Sequence, residues 1–230
     1  MISTLTDGYV KRPLLLGHRG CRGCGLVENS LLAFEYATTH GCDGFELDVR
    51  QTRDGRNVIW HDPDYNGRQI AQTNSGDLVG RTGNRLATFD EVLKQFSHRA
   101  YLDIELKTSG VEEAIVAALK VHPPQRGFVI SSFYPEVLLA VQSCDSSLPL
   151  GFLCESEDAM RAWREQPVRI FLPRHDLIEP RLIEEVHSAG RQIMTWSVNS
   201  ARQMRLLAKW GIDGLISDDP QLLYQTFHNG

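Results

Sequence analysis

Short apolar runs alternate with stretches of helical periodicity along the whole chain. The runs are Leu14 to Gly17, Gly44 to Val49, Tyr101 to Leu106, Phe128 to Ser131, Leu148 to Leu153, Arg169 to Leu172, Gln192 to Trp196 and Asp213 to Ser217. Each reads as a strand. The segments between them carry helix signals: Asn29 or Ser30 as a cap before Leu31, Thr88 with Glu91 and Ser109 with Glu112 as capping boxes, Pro180 near a start, and Gly190 and Gly211 as stops. Strand then helix, repeated eight times, predicts an α/β fold, a (β/α)8 TIM barrel. An open doubly wound sheet uses the same units, and counting units does not separate the two.

One further run, Val58 to Trp60, follows Asp54-Gly55, a dipeptide midway between two apolar stretches that reads as a two-residue hairpin turn. The second strand is therefore expected to carry a β-hairpin extension. With Arg53 opposite Arg56, Asp48 faces His61 on the same side of the ribbon, whereas a slip of one residue turns His61 away. The least regular stretch, Pro63 to Leu86, holds Asn66, Gly67, Asn74, Gly76, Gly80, Gly83 and Asn84 and reads as a long loop or small insertion. No internal repeat or linker divides the chain. Residues 1–230 are expected to form one barrel domain with an irregular insertion at about 63–86.

A length of 230 residues suits one α/β barrel. A net charge of −5, with no basic cluster longer than two residues, leaves nothing to hold a nucleic-acid backbone. Met1 to Arg12 lacks the apolar core of a leader, and no run is long enough to span a membrane. Five cysteines at irregular spacings are poor material for a disulfide framework, so a reducing, cytoplasmic setting is expected. Cys21 and Cys24 form an isolated C-x₂-C with no second metal-ligand pair, weak grounds for a zinc site or a redox pair. Oligomeric state is not encoded legibly.

Chemistry in a barrel comes from the C-terminal ends of strands. Glu46 and Asp48 are two apart on the second strand, so both leave the same face, with Phe45, Leu47 and Val49 on the other. Converging carboxylates repel unless a cation, a proton or basic side chains compensate them. With Glu105 at the end of the third strand they offer three oxygen ligands, the kind of site that holds one divalent cation, Mg²⁺ or Ca²⁺, and leaves room for water and a phosphate. A buried ion pair with Arg19 or Lys107 is the alternative. His18, flanked by Gly17 and Arg19-Gly20, and His61, followed by Asp62-Pro63, then stand beside the acids. Two imidazoles next to a cation suit phosphodiester cleavage, one taking a proton from the nucleophile and the other protonating the leaving alkoxide.

The ordered set Gly17-His18-Arg19-Gly20, Glu28-Asn29-Ser30, Glu46-Leu47-Asp48-Val49, His61-Asp62-Pro63 and Glu105-Leu106-Lys107 resembles the glycerophosphodiester phosphodiesterase family. Ser131-Ser132-Phe133, Thr195 to Asn199 and Gly211 to Asp218 resemble later strand-end motifs of that family, so the likeness spans about residues 14–223. The resemblance implies cleavage of a small-molecule glycerophosphodiester to glycerol 3-phosphate and an alcohol on a divalent cation. It also implies roles: Glu46, Asp48 and Glu105 as metal ligands, His18 and His61 as the acid/base pair, and Arg19 and Lys107 as phosphate contacts. Trp196 would be a wall of the glycerol pocket, with Glu28 and Asn29 in support. Attack by the substrate's own hydroxyl or by water fits these groups equally. Two departures from the family pattern are the cysteines between Gly20 and Glu28 and Ser30 in place of the common Thr. Related machinery cleaves lysophospholipids, and a silent ligand-binding barrel would be expected to have lost one of the five residues that are all present here.

Overall fold

The computed structural model describes residues 12–79 and 85–228. The N-terminal stretch before Arg12 and the expected loop residues Gly80, Gly83 and Asn84 lie outside the described residues. Among the described residues eleven strands and eight α-helices run in order. The strands are β1 (Leu14–Gly17), β2 (Gly44–Gln51), β3 (Asn57–Ile59), β4 (Asp64–Tyr65), β5 (Arg68–Gln69), β6 (Tyr101–Leu106), β7 (Phe128–Ser132), β8 (Leu150–Cys154), β9 (Ile170–Pro173), β10 (Gln192–Thr195) and β11 (Gly214–Ser217). The helices are α1 (Leu31–Thr39), α2 (Phe89–Phe96), α3 (Glu112–Val121), α4 (Pro135–Cys144), α5 (Glu157–Met160), α6 (Pro180–Ser188), α7 (Ala201–Trp210) and α8 (Pro220–His228).

Eight of these strands, β1, β2 and β6 to β11, pair in parallel, and β1 bonds to both β2 and β11. That double pairing closes the sheet and excludes the open doubly wound alternative. All eight runs read from the sequence are the barrel strands, with ends shifted by one or two residues.

Alternation along each strand divides the core in two. Outward residues such as Leu15, Phe45, Leu47, Leu102, Ile104, Ile130, Phe171, Ile193 and Leu215 pack under the helices. Phe45 stacks on Phe34 of α1 at 4.2 Å and meets Phe96 of α2 edge-on at 5.0 Å, each ring contributing roughly 1.5–3 kcal/mol by burial. Inward residues Leu16, Val129, Leu153, Ile170, Leu172, Met194 and Ile216 fill the barrel. Towards the strand ends this plug gives way to buried Glu46, Asp48, Asp103, Glu105 and Ser131. One strand end of the barrel is thus apolar filling and the other is chemistry.

Caps set most helix starts as expected. Ser30 caps α1 by accepting from the Ala33 amide, and Thr88 and Glu91 form a reciprocal capping box on α2. Pro180 opens α6, and Gly211, at φ 94°, closes α7. Ser109 is the exception. Gly110, at φ 87°, turns the chain before the helix, so α3 starts at Glu112, whose own carboxylate accepts the Gly110 amide at 2.7 Å.

The hairpin register also differs from expectation. The β2–β3 pairs are Val49 with Ile59, Arg50 with Val58 and Gln51 with Asn57, one residue away from the pairing that sets Asp48 against His61. The turn holds three residues rather than two: the Thr52 amide donates to the Arg56 carbonyl at 2.9 Å, and Gly55 takes φ 75°. Asp54 accepts from the Thr52 hydroxyl at 2.6 Å, which favours the longer loop. The expected irregular stretch contains the small β4–β5 ribbon and two 3₁₀ turns around a separate apolar cluster of Val58, Ile70, Leu78 and Leu86.

Candidate active site

A cleft of about 510 Å³ opens at the C-terminal ends of the strands, lined among others by His18, Arg19, Glu46, His61, Glu105, Lys107 and Trp196. The β2–β6 register puts Asp48 level with Glu105. A carboxylate oxygen from each of Glu46, Asp48 and Glu105 lies within 4.8 Å of the others, and all three residues are buried. Asn29, in the left-handed region at φ 56°, clamps Asp48 from two sides: its amide donates to Oδ2 at 2.7 Å and its carbonyl accepts the Asp48 amide at 3.2 Å. The Arg19 amide donates to Glu46 Oε2 at 2.9 Å.

The ion pairs held open as an alternative are also present. Lys107 Nζ lies 2.6 Å from Glu105 and 3.2 Å from Asp48, and Arg19 Nε lies 3.3 Å from Asp48. Arg19 is shared with Glu28 at 2.6 Å, and Glu28 also holds the exposed Arg22. Three buried acids therefore face two cations, one of them divided. Burial, then Asp48 and Glu105, push the Glu46 carboxyl well above the usual carboxylate range. Burial and the neighbouring Asp48 charge raise Glu105 to about 8. Asp48 moves the other way: burial alone would raise it, but Lys107 and Arg19 hold it low. Glu46 Oε1 is buried with no hydrogen-bond partner among the described residues. The cluster lacks one positive charge, and three hard oxygen donors fit a divalent cation.

His18 follows β1, and its Nδ1 lies 2.5 Å from Asp218 Oδ1 and 3.1 Å from the Ser197 hydroxyl. Its Nε2 points to the acids, 3.9 Å from Glu46. Asn199 fixes the far side of Asp218 by donating to Oδ2 at 2.6 Å. His61 reaches the cleft despite the changed register, because β3 ends at Ile59 and the chain bends afterwards. The Arg50 guanidinium holds that bend, donating to the His61 carbonyl at 2.8 and 2.6 Å. His61 Nδ1 pairs with Asp62 at 2.7 Å, and burial and Lys107 lower the imidazole pKa. Trp196 donates its Nε1–H to the Leu172 carbonyl at 2.9 Å and meets Phe133 edge-on at 5.5 Å, forming one wall.

Of the residues expected at the site, His18, Arg19, Glu46, His61, Glu105, Lys107 and Trp196 line the cleft, Asp48 is buried level with Glu105, and Glu28 and Asn29 hold Arg19 and Asp48. The sequence reading omits Asp218 and Asp103. Asp103 is fully buried on β6, its carboxyl raised to about 7 by burial, and it lines the cleft beside Ser131. The signal for it is the spacing that betrays Glu46 and Asp48, since Asp103 and Glu105 are also two apart on one strand. A disulfide joins Cys21 to Cys24 in the β1–α1 loop, contrary to the expectation of reduced thiols, while Cys42, Cys144 and Cys154 are free. No described helix is long and apolar enough to cross a membrane.

Acids short of one cation, next to basic groups that face an open cleft, define a barrel hydrolase built for anionic phosphate esters. The model of the glycerophosphoryl diester phosphodiesterase family matches residues 18–222, and the chain belongs to that family. Its activity is accordingly the hydrolysis of glycerophosphodiesters. A glycerophosphodiester phosphodiesterase of Caldanaerobacter subterraneus is 29% identical over 243 residues, covering 95% of this chain and 99% of that protein. The crystal structure of the Thermotoga maritima glycerophosphodiester phosphodiesterase shares the fold with a TM-score of 0.80 at 24% identity, covering 93% of this chain and 98% of that one. An Oleispira antarctica phosphodiesterase solved with the product sn-glycerol-3-phosphate also has a TM-score of 0.80 at 24% identity, over 94% and 96% of the two chains.

Proposed function

We propose that the protein is a cation-dependent enzyme releasing glycerol 3-phosphate and an alcohol from glycerophosphodiesters, with all of its chemistry carried by one barrel domain. The observation that carries this reading is the buried triad of Glu46, Asp48 and Glu105, three oxygen donors within 4.8 Å of one another. These residues would hold one Mg²⁺ or Ca²⁺. Such an ion, when bound, neutralises phosphate oxygens and polarises the phosphorus centre.

His18 and His61 act as the acid/base pair. One imidazole takes the proton of the attacking hydroxyl, and the other delivers a proton to the alcohol oxygen as its bond to phosphorus breaks. Asp218 orients His18 so that Nε2 faces the reacting group. Arg19 and Lys107 meet the remaining phosphate charge, and Trp196 with Phe133 walls the glycerol side. The product found with the Oleispira antarctica phosphodiesterase supports a glycerol-phosphate substrate for this cleft.

Calorimetric titration of Mg²⁺ or Ca²⁺ separates the parts. Wild type should bind one ion, Asp48→Asn should lose it, and His18→Ala should keep it while losing turnover. Full turnover by Asp48→Asn would overturn the assignment.

A further inference from the structure

The reaction outlined above leaves Asp103, a buried carboxyl inside the barrel, without a role. Asp103 lies on β6 two residues before Glu105, paired in register with Glu46 on one side and Val129 on the other. Beside Glu46 and Ser131, the barrel interior holds the buried apolar side chains Leu16, Val129, Leu153 and Ile216. Its Oδ1 is satisfied, accepting from the Ser131 hydroxyl at 2.5 Å. Its Oδ2 is fully buried and has no hydrogen-bond partner among the described residues. The same residue lines the cleft together with Ser131, Leu153 and Ile216. A carboxyl oxygen left unpaired in an apolar layer carries an uncompensated desolvation cost, and a donor entering from the cleft offsets it.

We infer that Asp103 is a specificity-determining residue, whose Oδ2 accepts a hydrogen bond from a hydroxyl of the substrate's glycerol unit. This rests on the reading of the cleft as a glycerophosphodiester site. Ser131 is a positioning residue, because its bond to Oδ1 fixes the direction of Oδ2. The phosphate sits at the level of the triad and the glycerol reaches down past it, so that the floor reads a polyol through one acceptor in an apolar frame. A site that hydrogen-bonds a hydroxyl rejects the analogue lacking it, because the buried acceptor then stays unpaired. The carbon skeleton alone gives little such selectivity.

The test compares competitive inhibition by glycerol 3-phosphate and by n-propyl phosphate, which has the same skeleton without hydroxyls. Wild type should bind glycerol 3-phosphate about tenfold more tightly, the effect of one buried hydrogen bond. Asp103→Ala should erase that ratio by weakening glycerol 3-phosphate alone, with propyl phosphate unchanged. Asp103→Asn keeps the shape and the bond from Ser131 but presents an N–H in place of the acceptor, so it should narrow the ratio in a protein that still folds. A ratio unchanged in either folded variant, or both inhibitors weakened together, would overturn the inference. If wild type hydrolyses no glycerophosphodiester, the reading of the site fails. If it does and the ratio ignores position 103, only the Asp103 assignment fails.

Discussion

His18 and Asp218 stand 200 residues apart in sequence yet share a hydrogen bond of 2.5 Å. Barrel closure brings them together: β1 pairs with β11 so that Gly17 lies beside Ser217, and the next residue of each strand carries the imidazole and the carboxylate. The His18 amide also donates to the Ser217 carbonyl at 2.7 Å, and Asn199 and Ser197 complete the bracket. The first and last strands thus build one unit that fixes the imidazole.

Asp218→Asn should reduce kcat about 10- to 100-fold with little change in KM, because it disturbs the orientation of His18 without removing a substrate contact. Steady-state kinetics on glycerophosphocholine check this. An unchanged kcat would mean that Ser197 suffices to hold the ring.

Removing the cation should destabilise the protein. A ligand at one hundred times its Kd adds about 2.7 kcal/mol to the folded state, so Mg²⁺ or Ca²⁺ should raise the melting temperature and EDTA lower it. Glu46→Gln should abolish the difference. Calorimetric melts of both proteins, with and without cation, are the measurement.

In the cation-free protein, pH should act through Glu105. Its folded pKa of about 8 lies above the unfolded carboxylate value, so the folded state retains a proton that the unfolded state has lost. This contribution to stability is fully present below the unfolded pKa and is lost as pH rises from about 5 to about 8. Saturating cation should flatten this decline, and Glu105→Gln should remove its share. Melting curves across that range show whether the slope has the stated sign.

His61→Ala should lower kcat by at least about 100-fold, the usual cost of losing a general acid or base. Arg50→Met should reproduce part of that loss without touching substrate, since the Arg50 guanidinium donates twice to the His61 carbonyl. Equal activity of Arg50→Met and wild type would show that the bend after β3 holds itself.

Thr88→Ala removes a reciprocal cap on α2 at a residue that does not line the cleft. About 1 kcal/mol of stability should be lost, with kinetic constants unchanged. Denaturant unfolding paired with an activity assay separates the two.

Local signals made much of this molecule legible in sequence. The eight apolar runs are the barrel strands because each needs only its own pattern to be recognised. Glu46 with Asp48 could be read as a site because two carboxylates on one strand face demand compensation. The hairpin register was harder, since Asp54-Gly55 fits a two-residue turn until the Thr52 hydroxyl and the Arg56 carbonyl draw in a third residue. His61 still reaches the cleft, for a reason that lies in Arg50 rather than in strand pairing. Asp218 could be placed at a strand end but not paired, because its partner comes from the other end of the chain. Attention to strand ends alone also passes over Asp103, which sits inside an apolar run.

The most direct test of the account is release of glycerol 3-phosphate from glycerophosphocholine and glycerophosphoethanolamine, in EDTA and after Mg²⁺ or Ca²⁺ is restored. Release is expected only with the cation present, and should be lost in Glu46→Gln. Undiminished release in EDTA, or none with either cation from folded protein, would contradict it.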